Sequence, residues 1–200
     1  MTSLYQDYIA ISRYARYLPE KRRREDWPET VDRYIQFFSE HTGQNLSFLR
    51  KPIVEKDVLP SMRAVMTSGR ALERDHVAGY NCAYVAVDHV RVFDEALYIM
   101  LCGTGLGFSV ERQYIAKLPE VSEEFHHTDT TIVVSDSKLG WAKALKELVG
   151  MLYSGIIPKI DTSNIRPSGA PLKTFGGRAS GPEPLERMFR HFIRVFENAA

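Results

Sequence analysis

Residues 80–110, YNCAYVAVDHVRVFDEALYIMLCGTGLGFSV, decide the fold that the sequence predicts. The first eight of them form a short apolar run rich in β-branched and aromatic side chains, which favours a buried strand. Residues 91–101 repeat apolar side chains at helical spacing. A glycine-rich segment at residues 103–107 then leads into a second apolar run at residues 108–110. Strand, helix, glycine turn and strand form the βαβ pattern, so we expect an α/β fold.

The sequence N-terminal to this stretch predicts a helical region. Residues 5–18 and 28–41 carry apolar side chains at helical spacing, and Pro28 suits the first turn of the second helix. Residues 56–79, with their interspersed proline and glycines, are typical of loop and helix. We therefore divide the chain into a helical region, residues 1–55, and an α/β region, residues 56–200.

The C-terminal part predicts a second set of elements that ends in a helix. This helix keeps an apolar face with Phe189, Phe192 and Phe196, and it reaches Ala200 without a capping signal. We therefore expect it to pack on a segment outside this chain. The predicted order is an irregular segment at residues 113–130, a short strand at Thr131–Val134, a helix capped within residues 135–137 and ended by Gly155, a loop over residues 164–184 and the final helix from residue 185 to residue 200.

Composition and charge are those of an ordinary globular protein. Hydrophobic residues make up 44% of the chain, charged residues 26%, and the formal net charge is +1. This balance gives no global field for nucleic acid, and the basic run Lys21–Arg24 predicts a solvated helix face. No apolar run is long enough to span a membrane, and the N-terminus lacks the apolar region of a secretory signal. We expect a cytoplasmic protein that binds neither membranes nor nucleic acid directly.

The two cysteines, Cys82 and Cys102, match no zinc-binding spacing and make no disulfide framework. In a reducing compartment each is either an inert core residue or a chemical group, and composition alone favours the inert role. The adjacent histidines His126–His127 have no thiol partner at helical spacing, and we expect no metal site there.

Two glycine-rich segments leave alternatives open. Residues 103–107 read G-x-G-x-G, which is neither the dinucleotide fingerprint nor a phosphate loop. They form either a tight turn between helix and strand or a place where the backbone approaches a ligand. Residues 166–182 combine glycines and hydroxyl side chains with Arg166, Lys173 and Arg178. That composition suits phosphate recognition, and it also suits a surface linker.

The chain resembles the N-terminal portion of monomeric class II ribonucleotide reductases, which depend on adenosylcobalamin. The similar blocks follow the family's order and cover almost the whole chain, and KTFGGRASGP is the most specific of them. They are SRYARYLPE (residues 12–20) with Arg23–Glu25 and Trp27, LPSMR (59–63), Asn81–Cys82, GTGLGFSV (103–110), DTSNIRPSGAP (161–171) and KTFGGRASGPEPL (173–185).

This resemblance implies a fold and a reaction. The fold is an N-terminal helical region followed by the first part of a ten-stranded α/β barrel, which is incomplete in this chain. The reaction reduces a ribonucleoside triphosphate at C2′ to the 2′-deoxyribonucleoside triphosphate for DNA synthesis. A thiyl radical, generated with adenosylcobalamin, abstracts the 3′ hydrogen, and two further cysteines supply the reducing equivalents. The monomeric type favours triphosphate over diphosphate substrates, and the sequence leaves that choice open.

The resemblance also implies residue roles. The family's Asn-Cys motif matches Asn81–Cys82, so we expect Cys82 to be one of the two reducing cysteines. Cys102 matches no chemical cysteine of the family, and we expect it to pack. The remaining candidates are Ser68, Asn81, Gly105 and Gly107 for the substrate, and Asp88, Asp94 and Arg112 for an allosteric effector nucleotide.

Part of the family's machinery is missing from this sequence. The radical cysteine lies in an N-x-C-x-E motif, which does not occur here, and the second reducing cysteine is also absent. We expect a C-terminal part outside this chain to bind most of the adenosylcobalamin. The expected partners are that part, a deoxynucleotide effector and a thioredoxin-type dithiol reductant. Whether the chain is a fragment, a split-gene product or an extein piece stays open. The alternative function is a catalytically inert nucleotide-binding regulatory module, which would have no chemical need for Cys82.

Overall fold

The computed structural model describes residues 4–172 and 177–200. Contacts divide these residues into two compact units, unit 1 with residues 4–81 and unit 2 with the rest. Helices alternate with parallel strands in unit 2, so the predicted α/β class is confirmed. The boundary predicted between residues 55 and 56 stays a prediction.

Unit 1 consists of short helices and one small hairpin. Its main helix is α2 (Trp27–Thr42). The other elements are α1 (Leu4–Ile9), which continues into a π-helical turn (Ala10–Tyr14), the antiparallel strands β1 (Tyr17–Leu18) and β2 (Arg23–Arg24), the helices α3 (Arg50–Val54), α4 (Met62–Thr67) and α5 (Arg70–Arg74), and 3₁₀ turns at Pro19–Lys21, Ser47–Leu49 and His76–Gly79.

The helix predicted over residues 5–18 ends at Tyr14, so the prediction is wrong in its last part. Pro19 starts a 3₁₀ turn and Arg22 takes a left-handed φ of 49°, which folds the chain back into the hairpin. The predicted apolar face of α1 is also exposed, with 72% of Tyr5 and 65% of Tyr8 accessible to solvent.

The basic run Lys21–Arg24 lies in this hairpin. The prediction that it forms a helix face is therefore wrong. Its four residues are exposed, so the predicted solvation is confirmed. Lys21 and Arg23 both pair with Glu29, at 2.5 and 2.6 Å. Hydrogen bonds from Arg23 and Lys21 hold the pKa of the Glu29 carboxyl well below its usual range.

The helix predicted over residues 28–41 is confirmed as α2. The Asp26 side chain accepts from the Glu29 N–H at 2.8 Å, and the Glu29 side chain accepts from the Asp26 N–H at 2.9 Å. This capping box satisfies two backbone donors at the start of the helix. The inner face of α2 carries Val31 and Ile35, which pack with Ile53 in a small core.

Unit 2 consists of two parallel βαβ motifs and a final helix. The first motif, β3 (Cys82–Ala86), α6 (Val92–Leu101) and β4 (Gly105–Ser109), confirms the prediction from residues 80–110. The short α7 (Arg112–Ile115) follows it. The second motif contains β5 (His126–Val133), α8 (Lys138–Tyr153) and β6 (Ile156–Asp161), and α9 (Glu183–Glu197) ends the unit.

The sequence missed β6 and the beginning of β5. Residues 113–130, predicted to be irregular, contain most of α7 and the first half of β5. In β6, Pro158 has no N–H for the ladder, which weakens the strand signal of a six-residue run. Gly155, with φ 72°, ends α8 as predicted and is followed at once by β6.

One hydrophobic core stabilises unit 2. Leu145, Leu148 and Leu152 of α8 are almost fully buried in it, and so is Phe189 of α9. The expectation that α9 packs on a segment outside this chain is wrong, because Phe189 and Phe196 are buried against α8 and its strands.

Backbone hydrogen bonds join the two described sides of the glycine- and proline-rich loop. They link Gly169 to Ala179 at 2.9 Å and Leu172 to Gly177 at 3.0 Å, so residues 169–172 run antiparallel to residues 177–179. This geometry favours an ordered loop over a flexible linker. Residues 173–176, which include one of the three predicted phosphate-binding cations, lie outside the described residues.

The described residues form three two-stranded sheets: β1–β2, β3–β4 and β5–β6. They do not form a ten-stranded barrel, which stays a proposal for a larger assembly. Among the same residues, no helix has the length and apolar character needed to cross a membrane.

Candidate functional site

Cys82 is the first residue of β3, and its side chain is exposed. The parallel register places Cys82 beside Gly105 and Tyr84 beside Gly107 of β4. Because successive strand residues point to opposite faces, these four residues share one face of the β3–β4 sheet. The thiol therefore lies on a face where the neighbouring strand carries no side chain at the paired positions.

This register revises the interpretation of the glycine-rich segment. Gly103 takes φ 83° and makes the turn after α6, whereas Gly105 and Gly107 belong to strand β4. A Cβ added at Gly107 would meet only the Ala83 carbonyl oxygen, at 3.9 Å, which is an ordinary contact. The fold therefore does not require glycine at position 107, and this favours ligand approach over a purely structural turn there.

The two other substrate candidates lie in unit 1. Asn81, the last residue of unit 1, is exposed. Ser68 is only 1% exposed, and its hydroxyl donates to the Val65 carbonyl at 3.2 Å. The Arg33 guanidinium donates both to that hydroxyl, at 2.8 Å, and to the Ser68 carbonyl, at 2.9 Å. The polar groups of Ser68 are thus engaged within unit 1, and its role as a substrate ligand stays a prediction.

The arginine that binds Ser68, Arg33, also forms a largely buried ion pair with Glu25. The sequence analysis missed this pair. Arg33 donates to both carboxylate oxygens of Glu25, at 2.8 and 3.0 Å, and Glu25 is 5% exposed. The Thr30 hydroxyl and the Arg16 N–H also donate to Glu25, at 3.1 and 3.0 Å. Burial, and then the nearby Arg33 cation, lower the pKa of Arg16. Glu25 belongs to a block that resembles the family, but no local pattern of the sequence indicates that this glutamate is buried and paired.

The three effector candidates occupy different places in and after the first βαβ motif. Asp88 follows β3 and forms an ion pair with Lys117 at 3.2 Å. Asp94, in the first turn of α6, is buried, and its Oδ2 accepts from Arg91 at 3.1 Å, which raises the pKa of Arg91. Its Oδ1 is buried without a hydrogen-bond partner in the described part of the chain. Arg112 begins α7 and is exposed. The structure thus joins Asp88 to Lys117, a candidate that the sequence analysis missed.

An unpaired buried carboxylate oxygen is unfavourable, because the group loses hydration without gaining a donor. Asp94 therefore keeps the capacity to accept one further hydrogen bond.

Cys102 is 1% exposed at the end of α6, as expected for a packing residue. The structure adds a polar contact, because the Lys138 ammonium at the start of α8 donates to the Cys102 sulfur at 3.1 Å. The same ammonium lies 5.7 Å from the centre of the Tyr98 ring. Cys102 thus links two helices and is not available on the surface.

Residues 4–172 and 177–200 contain no group of three or more His, Cys, Asp or Glu side chains that could hold a metal ion. The exposed His126 lies 3.7 Å from the Glu124 carboxylate, and such a single pair does not make a metal site. The exposed Cys82 and the unpaired oxygen of Asp94 are groups that many ligands can contact, so they do not indicate a binding site for a corrin ring. These groups do not identify a place for adenosylcobalamin, and we assign no step of the chemistry to it.

Comparisons with known proteins agree on one family. The family model described as the insertion domain of B12-dependent ribonucleotide reductase matches residues 113–196. A putative adenosylcobalamin-dependent ribonucleoside-triphosphate reductase of Mycobacterium phage D29 is 28% identical over 94% of this chain and 32% of its own length. The corresponding reductase of Lactobacillus leichmannii is 26% identical over 94% of this chain and 35% of its own length.

A solved structure supports the same relationship. The crystal structure of a B12-dependent (class II) ribonucleotide reductase superimposes with a TM-score of 0.77 and 25% identity, and the match covers 96% of this chain and 37% of that one. The chain thus spans about a third of the length of the curated relatives that it matches. In sequence and in fold, this chain resembles an N-terminal portion of the adenosylcobalamin-dependent, class II ribonucleotide reductases.

Proposed function

We propose that this chain supplies one reducing cysteine and nucleotide-binding residues to a class II ribonucleoside-triphosphate reductase, whose remaining parts lie outside it. The observation that carries the proposal is the exposed Cys82 on the open face of β3, with Gly105 and Gly107 beside that face. The names of the curated relatives, which are ribonucleoside-triphosphate reductases, support the choice of substrate.

In the proposed reaction, Cys82 and a second thiol outside this chain become a disulfide and give up two electrons and two hydrogens. At the ribose, the C2′–O bond breaks, a C2′–H bond forms and the oxygen leaves as water. Cys102 does not serve as the second thiol, because it is buried. A thioredoxin-type dithiol then reduces the disulfide by thiol–disulfide exchange and regenerates Cys82.

The nucleotide-binding roles follow from the resemblance and from the local geometry. Gly105 and Gly107 let the ribose approach β4, Asn81 and Ser68 contribute to substrate binding, and a deoxynucleotide effector binds near α6. The effector-binding candidates are Asp88, Asp94 and Arg112, with Lys117 added because of its ion pair with Asp88.

The complete enzyme would include parts that this chain does not provide. Adenosylcobalamin, when bound to those parts, supplies the radical chemistry. This chain alone, mixed with adenosylcobalamin and a dithiol, should therefore produce no deoxynucleotide. We place the reaction in the cytoplasm, where a dithiol reductant is available.

A chimeric enzyme tests the proposal. This chain replaces the matching N-terminal portion of the Lactobacillus leichmannii reductase, and formation of deoxyribonucleoside triphosphate is followed with a dithiol reductant. We expect the chimera to turn over repeatedly, Cys82→Ser to abolish repeated turnover, and Cys102→Ala to retain it.

The inert regulatory module predicts a different outcome. In that case Cys82→Ser would leave the turnover of an active chimera unchanged. An active chimera that is indifferent to Cys82→Ser would contradict the proposed function.

A further inference from the structure

Tyr84 lies two residues after Cys82 on the same face of β3, and 62% of it is exposed. Two residues along a strand correspond to about 6.6 Å, and residues at that spacing share a face. This separation is on the order of the distance between the ribose and the base of one nucleotide. A nucleotide whose ribose lies at the Cys82 thiol can therefore reach the Tyr84 ring with its base.

The neighbouring strand leaves room beside this ring. Gly107 pairs with Tyr84, about 4.8 Å away across the sheet, and offers no side chain on this face. A Cβ at Gly107 would make only an ordinary contact with the fold, so packing within the chain does not require a glycine beside Tyr84.

We propose that Tyr84 is the platform on which the base of the substrate nucleotide stacks, with Gly107 leaving the space that the base occupies. This inference rests on the proposed function, because it takes the ribose to lie at Cys82. Stacking on an aromatic ring tolerates different bases, since each base has a π face. The platform therefore positions purine and pyrimidine nucleotides alike.

The sheet offers a matched control on its other face. Phe108 is 66% exposed and pairs with Val85, so its side chain points away from Cys82 and Tyr84. Tyr84→Leu and Phe108→Leu each replace an exposed aromatic ring with leucine in the same two-stranded sheet. Tyr84→Phe keeps the ring, and Gly107→Val fills the proposed base position.

The experiment measures the rate at which iodoacetamide alkylates Cys82 in the 200-residue chain. The buried Cys102 serves as the slow internal reference, read by peptide mass spectrometry. The probes are ATP, CTP and ribose 5-triphosphate, which lacks a base. Far-UV circular dichroism and the thermal midpoint establish that each variant is folded.

We expect ATP and CTP to slow alkylation of Cys82 at concentrations about tenfold or more below those needed for the base-free triphosphate. Tyr84→Leu and Gly107→Val should remove this difference, whereas Tyr84→Phe and Phe108→Leu should keep it.

Two other results are possible, and they separate the inference from the function it rests on. If the base-free triphosphate protects Cys82 as well as ATP does, or if folded Tyr84→Leu keeps the difference, the platform is wrong while the nucleotide site at Cys82 stands. If no probe protects Cys82 in the unmodified chain, the platform and the nucleotide site at Cys82 are both contradicted.

Discussion

Replacing Arg33 with methionine should strongly destabilise unit 1. Arg33 donates to both carboxylate oxygens of Glu25 and to the Tyr14 carbonyl. It also donates to the Val65 carbonyl and to the carbonyl and hydroxyl of Ser68. Its side chain is 18% exposed and that of Glu25 is 5% exposed. Methionine fills much of the same volume but removes every one of these donors. The change therefore removes the guanidinium that donates to both oxygens of a buried carboxylate.

Removing one partner of a buried ion pair costs about 3–5 kcal/mol, because the remaining charge stays desolvated. Glu25 keeps the Thr30 hydroxyl and the Arg16 N–H as donors, and the Arg16 guanidinium stays near it, so we expect a loss near the lower end of that range. The control is Arg50→Met, which removes another bidentate pair, between the start of α3 and Asp32 of α2, at 2.5 and 3.0 Å. That pair is about half exposed and screened by water, so its loss should cost much less than the loss of Arg33.

Urea unfolding followed by tryptophan fluorescence measures both values. The Trp141→Phe background leaves Trp27 as the reporter of unit 1, where its indole N–H donates to the Ile53 and Val54 carbonyls. Equal losses for Arg33→Met and Arg50→Met would refute the argument that burial, rather than pairing geometry, sets the contribution of these arginines.

The remaining predictions concern the stability of unit 2, read from Trp141 in a Trp27→Phe background. Gly140→Ala should destabilise unit 2 by about 1–3 kcal/mol, because the added Cβ collides with the Ser135 backbone. Gly150→Ala in the same helix places its Cβ in open space and should stabilise unit 2 by about 0.5–1 kcal/mol. Gains of similar size at both positions would contradict the geometry of the α8 N-terminus. Gly181→Ala should cost about 1–3 kcal/mol, since φ is 77° and the Cβ would lie 2.9 Å from the Ser168 nitrogen; an unchanged midpoint would disprove that crowding. Cys102→Ala should cost about 1 kcal/mol through lost packing and the lost contact with Lys138, and a gain in stability would count against this link.

The sequence predicted the first βαβ motif because the signals at residues 80–110 are local and agree with one another. Short apolar strands, an amphipathic helix and a glycine turn each restrict the backbone on their own. The α2 helix was predictable for the same reason, since its capping residues and its apolar spacing coincide. The role of Cys82 came from the resemblance and not from periodicity.

The missed features depend on contacts between distant residues or on backbone that tolerates an unfavourable residue. Pro158 lies inside β6 although proline is disfavoured in strands, and tertiary packing overrides that local preference. Glu25 and Arg33 look like surface residues until α2 and α4 bring their partners together. Lys117 likewise lies 29 residues from Asp88, a separation that no local pattern reveals.

The apolar face of α9 was misjudged for a related reason. Its phenylalanines are unpaired in the sequence pattern, but unit 2 itself buries Phe189 and Phe196 and partly covers Phe192. A pattern can show that a helix has an apolar face, whereas the identity of the surface that covers this face emerges only from the fold.

Mapping the cysteines after a single turnover tests the central claim most directly. The pre-reduced chimera is mixed with ribonucleoside triphosphate and adenosylcobalamin without any external dithiol, and the products are quenched by rapid alkylation. We expect Cys82 to appear in a disulfide with a cysteine of the C-terminal portion, in proportion to the deoxynucleotide formed, while Cys102 remains a thiol. Formation of deoxynucleotide with Cys82 still a free thiol would contradict the account.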